Sequence, residues 1–127
     1  MILHHIGIVN DAEEKAERFY GEFLGLRKAR QYTVPPELSE QLFSIRQEIR
    51  AIVYETEGVR VEVFICPESK NPSTEIRHFA LHVDDIETFL RRAREFSVEH
   101  IVGKTKDKTV HFIRDYSGNL IEIKQRQ

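Results

Sequence analysis

The sequence holds a single cysteine, no run of like charge and no long apolar stretch. Cys66 has no partner within the chain, so no internal disulfide can form, which fits a reducing compartment. Lysine and arginine number 19 against 21 aspartate and glutamate, a net charge of -2 with no basic run, so nucleic acid is not the expected partner. No apolar segment approaches the roughly 20 residues that cross a bilayer. The opening "MILHHIGIVND" reaches charge before it builds a signal-peptide core. The expectation is a cytoplasmic protein without a membrane partner. What is present is ordinary for a globular fold: 127 residues, 31% charged and 40% hydrophobic, enough for one domain with a real core.

The chain reads as two similar halves. "HIGIVND" begins at His5 and "HFALHVD" at His78, and each places an aspartate, Asp11 or Asp84, at the end of an apolar stretch. A segment of helical period follows each. Asn10 or Asp11 can cap the first, whose stripe is Ala12, Ala16, Phe19, Tyr20 and Phe23, with Gly25 as its stop. Asp84 or Asp85 can cap the second, with Ile86, Phe89, Leu90, Ala93 and Phe96 as the stripe. The period then falls to two. "LRKARQYTV", "IRAIVYET" and "VRVEVFI" follow in the first half, with a turn at Glu57-Gly58. "EHIVGK", "TVHFIRD" and "LIEIKQ" follow in the second, with a turn around "YSGN".

Each half therefore reads strand, helix, three strands. The joint lies in the proline-bearing "CPESKNPST", which gives module one at 1–66, a linker at 67–75 and module two at 76–127. The segment from Pro35 to Ile45 cannot be a central strand because of its prolines. It reads as a loop with one helical turn, a candidate lid. The expected class is α+β, with paired β-α-β-β-β modules forming two small curved sheets. The competing reading is an ordinary α+β sandwich without a true repeat.

A period of two also sorts the strand faces. Val59, Val61, Val63 and Ile65 share one face, so Glu62 lies opposite with Arg60 and Phe64. Ile121 and Ile123 leave Glu122 on the other face with Leu120 and Lys124. Phe79, Leu81 and Val83 oppose His78, Ala80 and His82, and Ile6 and Ile8 oppose His5, Gly7 and Val9. The helices need the apolar faces. His5, Glu62, His78 and Glu122 thus project away from them, from the first and last strands of each half. A lone histidine or glutamate on a strand is ordinarily a satisfied structural or solvent-facing residue. The four matching places together point to ligands. Two imidazoles and two carboxylates suit a borderline divalent ion such as Zn, Ni, Co, Mn or Fe. His4 is expected on the helix side or in a subunit contact, and His100 on the surface. His82 can line the pocket, and His111 stays unassigned.

These pieces resemble the vicinal oxygen chelate superfamily in its glyoxalase I-like branch. "HHIGIVND" with "FYGEFLGL", "VRVEVFICP", "RHFALHVDD" and "RDYSGNLIEI" stand in the family's order over nearly the whole chain. The resemblance implies the glyoxalase/bleomycin resistance/dioxygenase fold of curved half-barrel sheets. It also implies a homodimer with metal sites shared between chains. The implied metal ligands are His5, Glu62, His78 and Glu122, with one divalent ion per site, Ni, Co or Zn foremost. The metal would bind two neighbouring oxygens of a small 2-oxo or hemithioacetal substrate and stabilise an enediolate. Glu122 is the first candidate for the proton-moving base, and Glu62 is ligand or partner base. Lactoylglutathione lyase is the nearest activity. Two places where glyoxalase I contacts glutathione hold Val9 and Cys66 here, so glutathione is not the expected thiol. Methylmalonyl-CoA epimerases resemble the chain but put glutamine where Glu62 stands. Fosfomycin thiol transferases stay open as an alternative, and a metal-free antibiotic-binding protein is the rival of a different class.

Overall fold

In the computed structural model of the chain, residues 1–68 and 76–127 are described. The chain divides into two compact units, Met1–Lys70 and Asn71–Gln127. Most of the expected linker, residues 69–75, lies outside the described residues. The first unit runs β1 (Ile6–Asn10), α1 (Glu13–Ala16), which continues as a π-helical segment (Glu17–Phe23), β2 (Arg27–Val34), α2 (Pro36–Phe43), β3 (Ile49–Thr56) and β4 (Val59–Ile65). The second runs β5 (His78–Val83), α3 (Ile86–Glu95), β6 (Glu99–Lys104), β7 (Thr109–Arg114) and β8 (Leu120–Gln125). The sheets are ordered β1-β4-β3-β2 and β5-β8-β7-β6. In each, the first strand is parallel to the last and the other neighbours are antiparallel. The class is α+β, built from two βαβββ units.

Each helix covers one face of its own sheet for the reason its stripe predicts. Ala16, Phe19, Tyr20 and Phe23 are buried, as are Ile52, Tyr54, Val61 and Val63, which share one face of the first sheet. Tyr20 and Tyr54 stack at 6.0 Å between centroids. The Tyr54 hydroxyl donates to Glu17 at 2.8 Å. Burial and that carboxylate raise the phenol's pKa, so it stays a neutral donor. In the second unit Leu90, Ala93 and Val98 are buried with Ile113, Ile121 and Ile123.

The helix ends separate the two halves. Asp85 caps α3, accepting from the amides of Glu87 at 3.1 Å and Thr88 at 3.3 Å. The Thr88 hydroxyl and these amides hold the Asp85 carboxyl below the usual range. Neither Asn10 nor Asp11 caps α1, whose N-cap position is Ala12, with no side-chain bond. Asn10 is fully buried, and its carbonyl accepts from the Cys66 amide at 2.8 Å, while Asp11 pairs with Lys15 at 2.9 Å. Gly25, at φ 73°, ends the π-helical segment, as expected of a residue that bears no Cβ.

The segment after Pro35 is more ordered than one turn. α2 covers eight residues, with proline in its first turn and Ser44 in the left-handed region at φ 59° closing it. Proline at the first helical position starts a helix rather than forbidding one. Both hairpin turns form where expected, with Gly58 at φ 88° and Gly118 at φ 91°. At the second, buried Asp115 accepts from the amides of Ser117 and Asn119, each at 2.9 Å.

Candidate functional site

Residues paired across neighbouring strands share a face. Gly7 and Val53 flank Glu62, and Val9 and Ala51 flank Phe64, so these six lie on the face turned away from α1. In the second unit Ala80 and Phe112 flank Glu122, and His82 pairs with Lys124. The sorting read from alternation is the one the sheets adopt.

In unit one the Nε2 of His5 lies 2.9 Å from the Oε2 of Glu62, whose side chain is only 8% exposed. In unit two the Nε2 of His78 lies 3.7 Å from the Oε2 of Glu122. The two pairs obey one register rule. Glu62 stands beside Gly7, two residues past His5, and Glu122 stands beside Ala80, two residues past His78. Parallel pairing of first and last strand thus sets Gly7 and Ala80 beside the glutamates, and His5, just before β1, and His78, the first residue of β5, lie diagonally to them. Among the described residues, no set of three or more potential ligands comes together.

The surroundings of the pairs differ. The His78 Nδ1 lies 2.7 Å from the Ile76 carbonyl, so it carries the proton and leaves the Nε2 lone pair toward Glu122. Phe112 packs on that ring edgewise at 5.1 Å. Glu122 also receives Lys124, whose Nζ lies 3.0 Å from Oε1. The 3.7 Å between Nε2 and Oε2 is an ion-pair distance rather than a hydrogen bond. A carboxylate as buried as Glu62 favours a cation beside it. The donors present fit a divalent ion.

His4 does not take the helix side. It precedes β1, so strand alternation does not bind it. Its Nδ1 lies 2.8 Å from the Nδ1 of His5, and its Nε2 lies 2.9 Å from the Nη1 of Arg60, a residue of the Glu62 face. A guanidinium only donates. With neutral imidazoles, Arg60 therefore donates to His4, His4 to His5 and His5 to Glu62. Arg60 is also held by Glu55 at 2.7 Å, a hydrogen bond that lowers the Glu55 pKa. Sequence periodicity could not show this chain of contacts because it joins the residues before β1 to β4.

His100 and His111 form a pair of their own on the opposite, α3 face of the second sheet, with Nε2 and Nδ1 3.0 Å apart and rings stacked at 5.2 Å. His100 is half-buried rather than on the surface. Burial, then His111, then Arg94 lower its pKa from 6.5. A histidine with a depressed folded-state pKa binds protons more readily when unfolded. Its contribution is whole above pH 6.5 and is lost as pH falls below that value. The urea midpoint is expected to fall as pH drops below 6.5, and His100→Gln to flatten that slope. An unchanged slope in the variant would assign the acid sensitivity elsewhere.

Two cavities adjoin these faces. One, of 490 Å³, is lined by Gly7, Val9, Phe43, Phe64 and Cys66 among others. The other, of 740 Å³, includes His82, Lys108, His111, Glu122, Lys124 and Arg126. His82 and Glu122 both line it, together with His111 and Ile123 of the opposite face.

Comparison with known proteins follows the same outline. The model of the Glyoxalase/Bleomycin resistance protein/Dioxygenase superfamily matches residues 2–123. A glyoxalase family protein from Enterococcus faecalis is similar in structure at a TM-score of 0.73 and 22% identity, covering 96% of this chain and 95% of that one. A fosfomycin resistance protein from Mesorhizobium loti reaches 0.69 at 15% identity, covering 97% and 91%. The trypanothione-dependent glyoxalase I of Leishmania major reaches 0.68 at 20% identity, covering 95% and 84%. At these identities the likeness is one of fold. No curated protein matches the sequence.

Proposed function

The chain belongs to the Glyoxalase/Bleomycin resistance protein/Dioxygenase superfamily, and on that footing we propose that it is a metal-dependent lyase or isomerase of the glyoxalase I type. Its substrate class is a small molecule with two neighbouring oxygens, a 2-oxo compound or a hemithioacetal. The observation that carries this reading is the repeated pair: His5 with Glu62 and His78 with Glu122, set by one register rule in both units. Each pair is half of a four-ligand set. A homodimer would complete each set by joining a first-unit pair of one copy to a second-unit pair of the other.

A divalent ion of the nickel, cobalt or zinc kind, when bound, supplies Lewis-acid stabilisation of charge that grows on the substrate oxygens in the transition state. The protein's own residues hold and move protons. A carboxylate takes the proton from the hydroxyl-bearing carbon beside the carbonyl and returns it to the carbonyl carbon, while the hydroxyl proton passes to the former carbonyl oxygen, so the change is an isomerisation that consumes no oxidant or reductant. Glu122 is suited to this because Lys124 holds its Oε1 and leaves Oε2 toward His78. Glu62 is the second carboxylate of the set, shielded from water on the first sheet. The Ile76 carbonyl fixes the His78 ring.

Full-length protein dialysed in turn against Ni, Co and Zn is expected to retain about one ion per chain. It should also exchange the α-proton of 2-hydroxy ketones with solvent deuterium. A folded protein that takes up none of these ions ends the reading. The methylglyoxal–glutathione hemithioacetal should turn over with kcat/KM below about 10⁵ M⁻¹s⁻¹, and a value well above that would make glutathione the thiol after all.

A further inference from the structure

We infer that the 490 Å³ cavity of the first unit receives an uncharged, apolar arm of the ligand, such as a phenyl or branched alkyl group, and rejects an anionic one. The inference rests on the reading that His5 and Glu62 attend the reacting end, and it adds what the rest of the substrate must be. The cavity opens on the Glu62 face. Gly7, the register partner of Glu62, lies in its wall, and Val9, Phe64 and Ile49 follow on that same face. The end of α2 and the segment after it supply the facing wall. Phe43 meets Phe64 at 5.5 Å between centroids, and Ile45 stands beside it. A volume of 490 Å³ falls within the range of about 300–1,000 Å³ usual for small-ligand sites.

The chemistry of the lining is one-sided. Among the described residues of its lining there is no lysine, arginine or histidine, and the one charged group is the carboxylate of Glu68. The polar Gln47 already gives its Nε2 to the Cys66 sulfur at 3.2 Å. An entering carboxylate or phosphate would lose water, gain no counter-charge and face Glu68, which is costly in an apolar wall. An alkyl or aryl group gains by leaving water there.

The second unit shows that the fold does not require such a lining. By register, Phe64 corresponds to Lys124, since each stands two residues past the site glutamate, and Val9 corresponds to His82. Both Lys124 and His82 line the cavity that holds Glu122, with Lys108 and Arg126. Equivalent places are apolar in one half and basic in the other, so the apolar character belongs to the first cavity itself.

The test uses full-length, metal-free protein, so that loss of the metal reading and loss of this one stay separate. Amide NMR shifts are followed on titration with 4-phenylbutan-2-one and, separately, with 4-phenylbutanoate. The ketone is expected to shift Gly7, Ile49 and Phe64 saturably, and the anion to bind at least tenfold more weakly at those amides. Phe43→Ala, at a residue 44% exposed whose loss spares the core, should weaken the ketone about tenfold. Val9→Arg should reverse the preference. Equal or tighter binding of the anion to the natural chain would overturn the inference, as would ketone shifts confined to other amides. Selective ketone binding in a protein that takes up no metal would retain the cavity assignment while ending the proposed reaction.

Discussion

Glu62→Gln is expected to lower divalent-metal affinity on the order of a hundredfold or more, with little change in stability. Losing an outer partner of a metal ligand typically costs 10–100-fold, and the proposal makes Glu62 a ligand itself. The variant separates binding from folding because of the contact it keeps. His5 presents Nε2 to Oε2 at 2.9 Å, and a glutamine carbonyl at that place still accepts the same proton. The amide simply lacks the charge that a cation needs. His4→Ala is the informative companion. It removes the group beside His5 Nδ1 but no ligand, so about a tenfold loss is expected. Competition with a chromophoric chelator measures both. A Glu62→Gln protein that binds metal as the natural chain does would remove Glu62 from the ligand set. Equal losses in the two variants would mean that the His5 ring's orientation, rather than the carboxylate, dominates.

Phe19→Ala is expected to cost about 3–5 kcal/mol of folding stability, the range for an aromatic removed from a packed core. Phe19 is fully buried, with its ring 4.8 Å from Tyr20 and 5.3 Å from Phe23. Those three rings sit in the π-helical segment that covers the first sheet. Domains are typically stable by only about 5–15 kcal/mol, so the loss would lower the urea midpoint sharply. Leu42→Ala, at a side chain 61% exposed on α2, should change stability by less than about 0.5 kcal/mol. Comparable losses at the two positions would contradict the placement of the core under the first helix.

The faces were legible because a strand's period is two, and a period of two leaves few choices. Burying Val61 and Val63 puts Glu62 opposite them, and burying Ile121 and Ile123 does the same for Glu122. The helical stripes were equally readable, since Phe19, Tyr20, Phe23, Leu90 and Ala93 recur at helical spacing. Four things were hidden. The π-helical turn after Ala16 is a choice of hydrogen-bond partner that side-chain spacing scarcely registers. Asn10 looked like a cap, but its burial and its carbonyl's bond to the Cys66 amide are tertiary matters. His4 looked idle because its partner, Arg60, comes from β4, which alternation along the first strand does not name. The expectation of His100 at the surface failed for a similar reason: its partner, His111, comes from a neighbouring strand.

The shared two-residue stagger between site histidine and site glutamate has an inheritance of its own. Backbone pairing between first and last strand sets Gly7 beside Glu62 and Ala80 beside Glu122, and each histidine stands two residues earlier. The histidine lies near the glutamate in both halves, although what surrounds them differs. Each half can then drift in its lining while its pair stays intact, as Phe64 against Lys124 and Val9 against His82 illustrate. A scaffold made this way changes its taste for ligands one half at a time, like a lock with two independently cut wards around a common bolt.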